Sequence, residues 1–306
     1  MSWAQVETFL RDKQGRIYVN PAKDYIQPFE LSTDRPNNII TLAPGETAGP
    51  FPFTARYDGP IEVFYVKVVV FDTNNVPVTD YNIDWFLEHP GKRKQFSNRM
   101  IPLIATAGDA GRPYVLPETI FLPAVQSLQV TFRNNDAVNQ RRVELVLGGV
   151  KFYPNAAPGV IRKEIWGYIE RRERTYVYWQ TTDREVVIPA SATGQEEFAT
   201  VPDDTDLEVF KLSARSTGAF RVELRDGQND RALTGNRIHS SLIFGAHDPT
   251  AAGGGVGGSG GVFPGRWATS FLVRRSVQLR LVFDNLTALS NTVKVVLAGR
   301  KVIYAG

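Results

Sequence analysis

Ser127-Leu-Gln-Val-Thr-Phe-Arg-Asn134 returns late in the chain as Gln278-Leu-Arg-Leu-Val-Phe-Asp-Asn285. Leu128, Val130 and Phe132 alternate with Gln129 and Thr131, and Leu279, Leu281 and Phe283 repeat this around Arg280 and Val282. Such alternation marks a half-buried strand, so the first firm reading is β-structure, stated twice. Val143-Glu-Leu-Val-Leu-Gly-Gly149 then returns as Val293-Lys-Val-Val-Leu-Ala-Gly299, and each copy continues to a lysine, Lys151 and Lys301.

Working outward, earlier landmarks keep the same order. Thr33-Asp-Arg35 recurs as Thr182-Asp-Arg184 (182 − 33 = 149), and Ile61-Glu-Val-Phe64 as Leu207-Glu-Val-Phe210 (207 − 61 = 146). Ser97-Asn-Arg99 recurs as Gly235-Asn-Arg237 (235 − 97 = 138), and Leu128 as Leu279 (279 − 128 = 151). The second copy therefore gains 151 − 138 = 13 residues in a window that holds Gly253-Gly-Gly-Val-Gly-Gly-Ser-Gly-Gly261. A glycine run of this kind is expected to be a mobile loop. A repeat of about 150 residues is one domain long and too long for a solenoid. The expected division is residues 1–153, a sandwich with an N-terminal arm, and 154–306, a sandwich with a Gly-rich insertion at 250–265. Pro154-Asn-Ala-Ala-Pro-Gly159 reads as the linker.

Composition fits a globular chain of 306 residues, 42% hydrophobic and 22% charged. No apolar run approaches the roughly 20 residues of a membrane-spanning helix. Met1-Ser-Trp-Ala-Gln-Val-Glu7 lacks the basic start and apolar core of a secretory signal, and the chain has no cysteine. Both suit synthesis in a reducing compartment. A net charge of +3 argues against a dedicated nucleic-acid binder.

Further strands are expected at Val66–Phe71, Asn82–Leu87, Thr175–Trp179 and Phe220–Leu224, separated by turn clusters such as Asp72-Thr-Asn-Asn75 and Arg225-Asp-Gly-Gln-Asn229. About eight strands per 150 residues suits an all-β chain of two tandem duplicated antiparallel β-sandwiches, with the jelly roll as leading topology. Each copy also opens with an expected hairpin, Phe9–Val19 and Tyr168–Val177. Ser2-Trp-Ala-Gln5 fits either a helix-capping box or an extended arm. Residues 1–30 are expected to form an arm without a partner sheet.

The search for chemistry returns little. His89, His239 and His247 show no metal-ligand spacing and no orienting partner, and read as structural or solvated. Gly257-Gly-Ser-Gly-Gly261 matches the form of a nucleophile elbow without its strand and helix. Glu196-Glu197 and Asp203-Asp-Thr-Asp206 read as a solvated cluster, with a glycosidase pair as the sharper alternative. Lys92-Arg-Lys94, Arg141-Arg142, Arg171-Arg172 and Arg274-Arg275 are too short for a nucleic-acid stripe. Asn285-Leu-Thr287 matches a glycosylation sequon and carries no weight without a secretory signal. The expectation is no catalytic residue, no metal and no cofactor.

Aromatic residues are the remaining candidates. Trp166, Tyr168, Tyr176, Tyr178 and Trp179 suit either the joint between domains or a sugar platform. Trp3, Phe9, Tyr18, Tyr25 and Phe29 in the arm are expected to bind neighbouring subunits.

The closing pattern of each copy, Phe121-Leu-Pro123, Leu128–Phe132 and Val143–Tyr153, resembles the end of β-sandwich domains in bacteriophage virion proteins. The tandem arrangement resembles two classes among them. One is the double jelly-roll capsid protein, in which two similar barrels stand side by side so that a trimer imitates a hexagon. The other is the auxiliary head or collar protein. The resemblance implies a non-enzymatic part of a virus particle, made in the host cytoplasm, whose partners are further copies and other virion proteins. A carbohydrate-binding module and a glycan-active enzyme are the rival expectations.

Overall fold

The computed structural model describes residues 25–34, 38–109, 113–157, 175–228, 231–234, 236–244 and 265–302, with 159, 162–163 and 165–167. The expected hairpin Phe9–Val19, most of its counterpart before Val177, the capping box and the Gly253–Gly261 loop lie outside the described residues, as do Trp3, Phe9, Tyr18 and Tyr168.

The first half contributes β1 (Ile26–Ser32), β2 (Ile39–Leu42), β3 (Thr47–Thr54), β4 (Ile61–Phe71) and β5 (Ile83–His89). It continues with β6 (Lys94–Gln95), β7 (Ile101–Pro102), β8 (Tyr114–Leu122), β9 (Ser127–Asn134) and β10 (Arg141–Phe152). The second half contributes β11 (Thr175–Thr181), β12 (Val186–Ile188), β13 (Gln195–Thr200), β14 (Asp206–Ser216) and β15 (Phe220–Asp226). After these come β16 (Arg231–Ala232), β17 (Ile238–His239), β18 (Gly265–Val273), β19 (Gln278–Asn285) and β20 (Asn291–Val302).

Among the described residues these strands form four five-stranded antiparallel sheets. In the first half the orders are β1-β10-β4-β8, with β2 also on β10, and β3-β9-β5-β6, with β7 also on β5. In the second they are β11-β20-β14-β18, with β12 on β20, and β13-β19-β15-β16, with β17 on β15. Counting β1 with β2 and β6 with β7 as interrupted single strands leaves eight strands, which is the interleaved order of a jelly roll. Adding ten to each strand number of the first half reproduces the second. The chain is all-β, two tandem duplicated jelly rolls.

The alternation behaves as its spacing predicts. Leu128, Val130 and Phe132 are buried in one core cluster, and Leu279, Leu281 and Phe283 in the other. Trp85 and Val222 oppose Phe132 and Phe283 at equivalent positions of β5 and β15.

Fine irregularities are shared as well. Ile61 pairs with Lys151 and Leu207 with Lys301, and in both strands the register then slips past one residue, Phe64 or Phe210. The bulge brings backbones close at Gly149 and Gly299. A Cβ there would lie 1.8 Å from the Glu62 carbonyl oxygen and 2.1 Å from that of Glu208. That approach is why both copies carry glycine at this place. Asn134 and Asn285 match too. The buried Nδ2 of Asn134 donates to the carbonyls of Ala43 and Asn139 at 3.0 and 2.9 Å, and that of Asn285 to Pro189 and Leu289 at 2.8 and 2.7 Å.

Two expectations need correction. Residues 26–32 are no free arm, because β1 pairs along β10 from Ile26↔Phe152 to Ser32↔Val146. Pro28 disguised it, and Pro is tolerated there because β1 is an edge strand. Nor is 154–159 a bare linker: Pro154–Ala156 is a 3-10 turn, and Ala157 and Ile165 are buried against Ile26, Phe64, Val150 and Phe152.

The two jelly rolls share a core. Val293, Val295 and Leu297 of β20 face the second cluster, while Val296 and Ala298 join the first, together with Val177 and Trp179 of β11. The outer face of the β11-β20-β14 sheet thus closes the β7–β8 side of the first jelly roll. Leu103–Thr106, a single helical turn buried throughout, lies under β14 at this joint.

Candidate functional site

Each jelly roll buries the lysine that closes its last strand. Lys151 meets Asp58 at 2.5 Å with its Nζ 4.8 Å from the centre of the Phe29 ring. Lys301 meets Asp204 at 3.2 Å with its Nζ 4.3 Å from the Tyr178 ring. Donation from Lys151 holds the Asp58 carboxyl below its ordinary range. Each ammonium is committed to a carboxylate and a ring face, so the pair acts as a clasp between strand end and loop.

The aromatic candidates separate by strand parity. Trp179 is fully buried, edge-on to Trp85 at 5.7 Å, with its Nε1 donating to the Tyr114 hydroxyl at 3.4 Å. It fills the joint and is out of reach of a second subunit, as is buried Tyr178. Tyr176 is half-buried, and Lys94 sits 4.6 Å over its ring. The faces on which a sugar would stack are therefore occupied by Lys94 and Lys301. Burial, with Asp204 beside it, pushes the Tyr176 hydroxyl up to about 12. Tyr25 and Phe29 belong to the β1 region, half-buried, and Trp166 is 42% exposed. The structure does not gather these residues into one site.

Titratable candidates are individually committed. His89 is buried at the end of β5, where its Nδ1 accepts from the Lys92 N–H at 3.2 Å and caps the short 3-10 turn Pro90–Lys92. Burial, then the Lys92 ammonium, pushes its imidazole below the ordinary value. Glu196 lies in β13 and pairs with Arg280, and Asp206 accepts the Arg275 N–H at 2.8 Å. Only part of that acidic cluster is a solvated turn. His239 sits in β17, and His247 lies outside the described residues. No group of three metal-ligating side chains occurs among the described residues. Asn285, in the sequon, is buried with its amide spent on backbone carbonyls.

The most specific recognition geometry runs along the free edge of β11. The backbone N–H of Trp179 donates to the Phe96 carbonyl at 2.8 Å. Asn98 then grips Thr181: its Oδ1 accepts from the Thr181 N–H at 3.0 Å and its Nδ2 reaches the Thr181 carbonyl at 3.4 Å. Arg99 donates to the Asp183 carbonyl at 2.5 Å. Below this strap lies a crevice of about 240 Å³ where Lys294 bridges to buried Asp84 at 2.6 Å. Sequence reading marked Asn98-Arg99 as a repeat landmark only; a landmark recurring in a loop was the available signal.

No protein-family model matches the chain, and no curated protein matches it. Among solved structures it is similar to a peptide-N(4)-(N-acetyl-beta-D-glucosaminyl) asparagine amidase, 9% identical at a TM-score of 0.41, covering 91% of this chain and 98% of that one. It is similar to the viral capsid protein STIV MCP, 11% identical at 0.41, covering 89% and 96%. A third is the capsid protein VP54 of PBCV-1, 8% identical at 0.40, covering 95% and 98%.

Proposed function

We propose that the chain is a non-enzymatic structural component of a virus particle, in particular of a phage, which forms or decorates the shell through contacts between copies and with other virion proteins. On this reading it is made in the host cytoplasm and resides in the virion. Its two building blocks are residues 1–153 and 154–306, and the aromatic surface of Trp3, Phe9, Tyr18, Tyr25, Phe29, Trp166 and Tyr168 serves contacts outside the chain.

One observation carries the reading. The two jelly rolls are joined through unlike surfaces: the β11-β20-β14 face of the second covers the β7–β8 side of the first. A heterologous contact of this kind uses one surface of each block and leaves its complement on the other. The corresponding face of the first jelly roll, beyond the part covered by Ala157 and Ile165, and the corresponding side of the second would offer the same contact to further copies, which is how rings and shells are built. At the second site Leu242 is 77% exposed, where its counterpart Ala105 is 4% exposed beneath the joint.

The test is the state of the purified full-length chain by mass photometry and negative-stain imaging over a concentration series. Discrete closed oligomers or shell-like sheets are expected. A chain that stays monomeric throughout, or one that binds glycans as a monomer, overturns the proposal.

A further inference from the structure

The crevice below the strap holds an excess of positive charge around one buried carboxylate. It has two lobes, of about 240 and 190 Å³, and Asp84, Arg133, Glu185 and Lys294 line both. Arg99 and Arg184 line the first lobe and Arg215 the second, so five cations face two carboxylates. The walls come from both halves of the chain: β5, β9 and the strap on one side, and β14, β20 and the turn before β12 on the other.

The cations are not neutralised by their neighbours. Arg133 and Arg184 are exposed and make no ion pair among the described residues. Arg133 stands directly opposite Asp84 across the β5–β9 pair, yet the Asp84 Oδ2 accepts from Lys294 instead. Arg99 donates to a neutral carbonyl, that of Asp183, and Arg215 to the side-chain oxygen of Asn82. Glu185 is exposed and lies 3.9 Å from Lys294. Unpaired arginines gathered in a concave site attract an anion, and the guanidinium fork fits an oxyanion through two parallel hydrogen bonds.

Asp84 narrows the class of anion. Its side chain is 7% exposed, and its Oδ1 is buried with no hydrogen-bond donor. A carboxylate oxygen in that position is costly, and it repels an oxyanion that carries no proton. It suits one with a hydroxyl, which donates to Oδ1 while the charged oxygens face the arginines. Hydrogen phosphate has such a hydroxyl. Sulfate at neutral pH has none, and neither has the phosphodiester of a nucleic-acid backbone.

The equivalent positions of the second jelly roll carry the opposite charges. Trp85 and Val222 are equivalent, so Arg221 stands in the place of Asp84 and Asp284 in the place of Arg133. There Arg237 already bonds Asp284 at 2.6 Å. One site per chain is therefore expected.

We propose that this crevice binds a protonated phosphate group, as inorganic phosphate or as a phosphate monoester, with Asp84 accepting its hydroxyl and Arg133 and Arg184 holding its charged oxygens. Because Arg133 belongs to the first half and Arg184 to the second, the ligand ties the joint closed. The inference stands apart from the structural-subunit reading.

The test is isothermal titration calorimetry of the full-length chain with sodium phosphate near neutral pH, against sodium sulfate at matched ionic strength. One saturable phosphate site is expected, with sulfate at least about tenfold weaker, since a site built to accept a hydroxyl rejects the analogue that lacks it. Arg133→Gln and Arg184→Gln, both at exposed positions, should each weaken phosphate at least about tenfold, while Arg221→Gln, with the same change of charge, leaves binding unchanged. Asp84→Asn, folded by circular dichroism, should lose the preference over sulfate, because an amide can turn its N–H toward either anion. At phosphate a hundred times the dissociation constant, the wild-type melting midpoint should rise by about 4 to 5 °C beyond the effect of sulfate. A nucleoside 5′-monophosphate separates the two sources: it loses its last phosphate proton near about pH 6, so a monoester site binds it at about pH 5.5 and releases it by about pH 8. Binding of inorganic phosphate alone assigns the site to the free anion. No saturable phosphate binding, equal affinity for sulfate, or binding untouched by both arginine substitutions overturns the proposal.

Discussion

Replacing Trp179 by Ala removes the side chain that belongs to one jelly roll by sequence and to the other by packing. It is fully buried, edge-on to Trp85, and bonded to the Tyr114 hydroxyl. Truncating a buried aromatic costs about 3 to 5 kcal/mol, part of it the roughly 0.5 to 1.5 kcal/mol of the ring–ring contact. Unfolding entropy near the midpoint is about 2.1 cal/mol/K per residue, hence roughly 0.6 kcal/mol/K for the 306-residue chain if it melts as one unit. The midpoint should then fall by about 5 to 8 °C. If one jelly roll of about 150 residues melts by itself, the same loss gives roughly 10 to 16 °C. Differential scanning calorimetry distinguishes the two, because weakening the joint should also move the transitions of the two jelly rolls apart. A midpoint within about 2 °C of wild type, with unchanged shape, would refute the shared core.

Three further outcomes are expected. Gly149→Ala and Gly299→Ala force a Cβ onto the carbonyls of Glu62 and Glu208 and should each cost about 2 to 4 kcal/mol in urea unfolding, with equal values in the two copies as the sharper check. Asn134→Ala and Asn285→Ala leave buried carbonyls unpaired and should each cost about 2 to 4 kcal/mol by the same measurement. For His89 the folded imidazole titrates below its unfolded value of 6.5, so the unfolded chain binds the proton first. Its contribution is fully present above pH 6.5 and is lost as pH falls toward the folded value, and His89→Gln should flatten that part of a stability–pH profile.

The strands of each core were legible because one face is buried and the other wet, which writes a period of two into Leu128–Phe132 and Leu279–Phe283. The same cause hid the joint. β20 is covered on both faces, so Val295 to Ala298 shows a continuous apolar run that could be any buried strand. β1 was missed because Pro28 interrupts its pattern, and β6, β7, β16 and β17 because two residues carry no period. The aromatic pairing of Tyr176 with Tyr178 on one face was readable from parity, yet the joint is filled by the other face, Val177 and Trp179. Asn98-Arg99 and Asn236-Arg237 look alike in sequence. Only the folded chain shows that the strands flanking them align Asn236 with Arg99 rather than with Asn98.

The shared core also sets an order of events during synthesis. The first jelly roll has all ten of its strands once Phe152 has been made, but Val296 and Ala298, which complete its cluster, come up to 298 − 152 = 146 residues later. At roughly 5 to 20 residues per second, the interval is on the order of 7 to 30 s. Through that time Leu103, Ile104 and Trp85 lack their cover, and the nascent N-terminal half presents a sticky flank to whatever passes the ribosome. A chaperone that recognises it, or a neighbouring polysome that captures it, competes with the chain's own last strand.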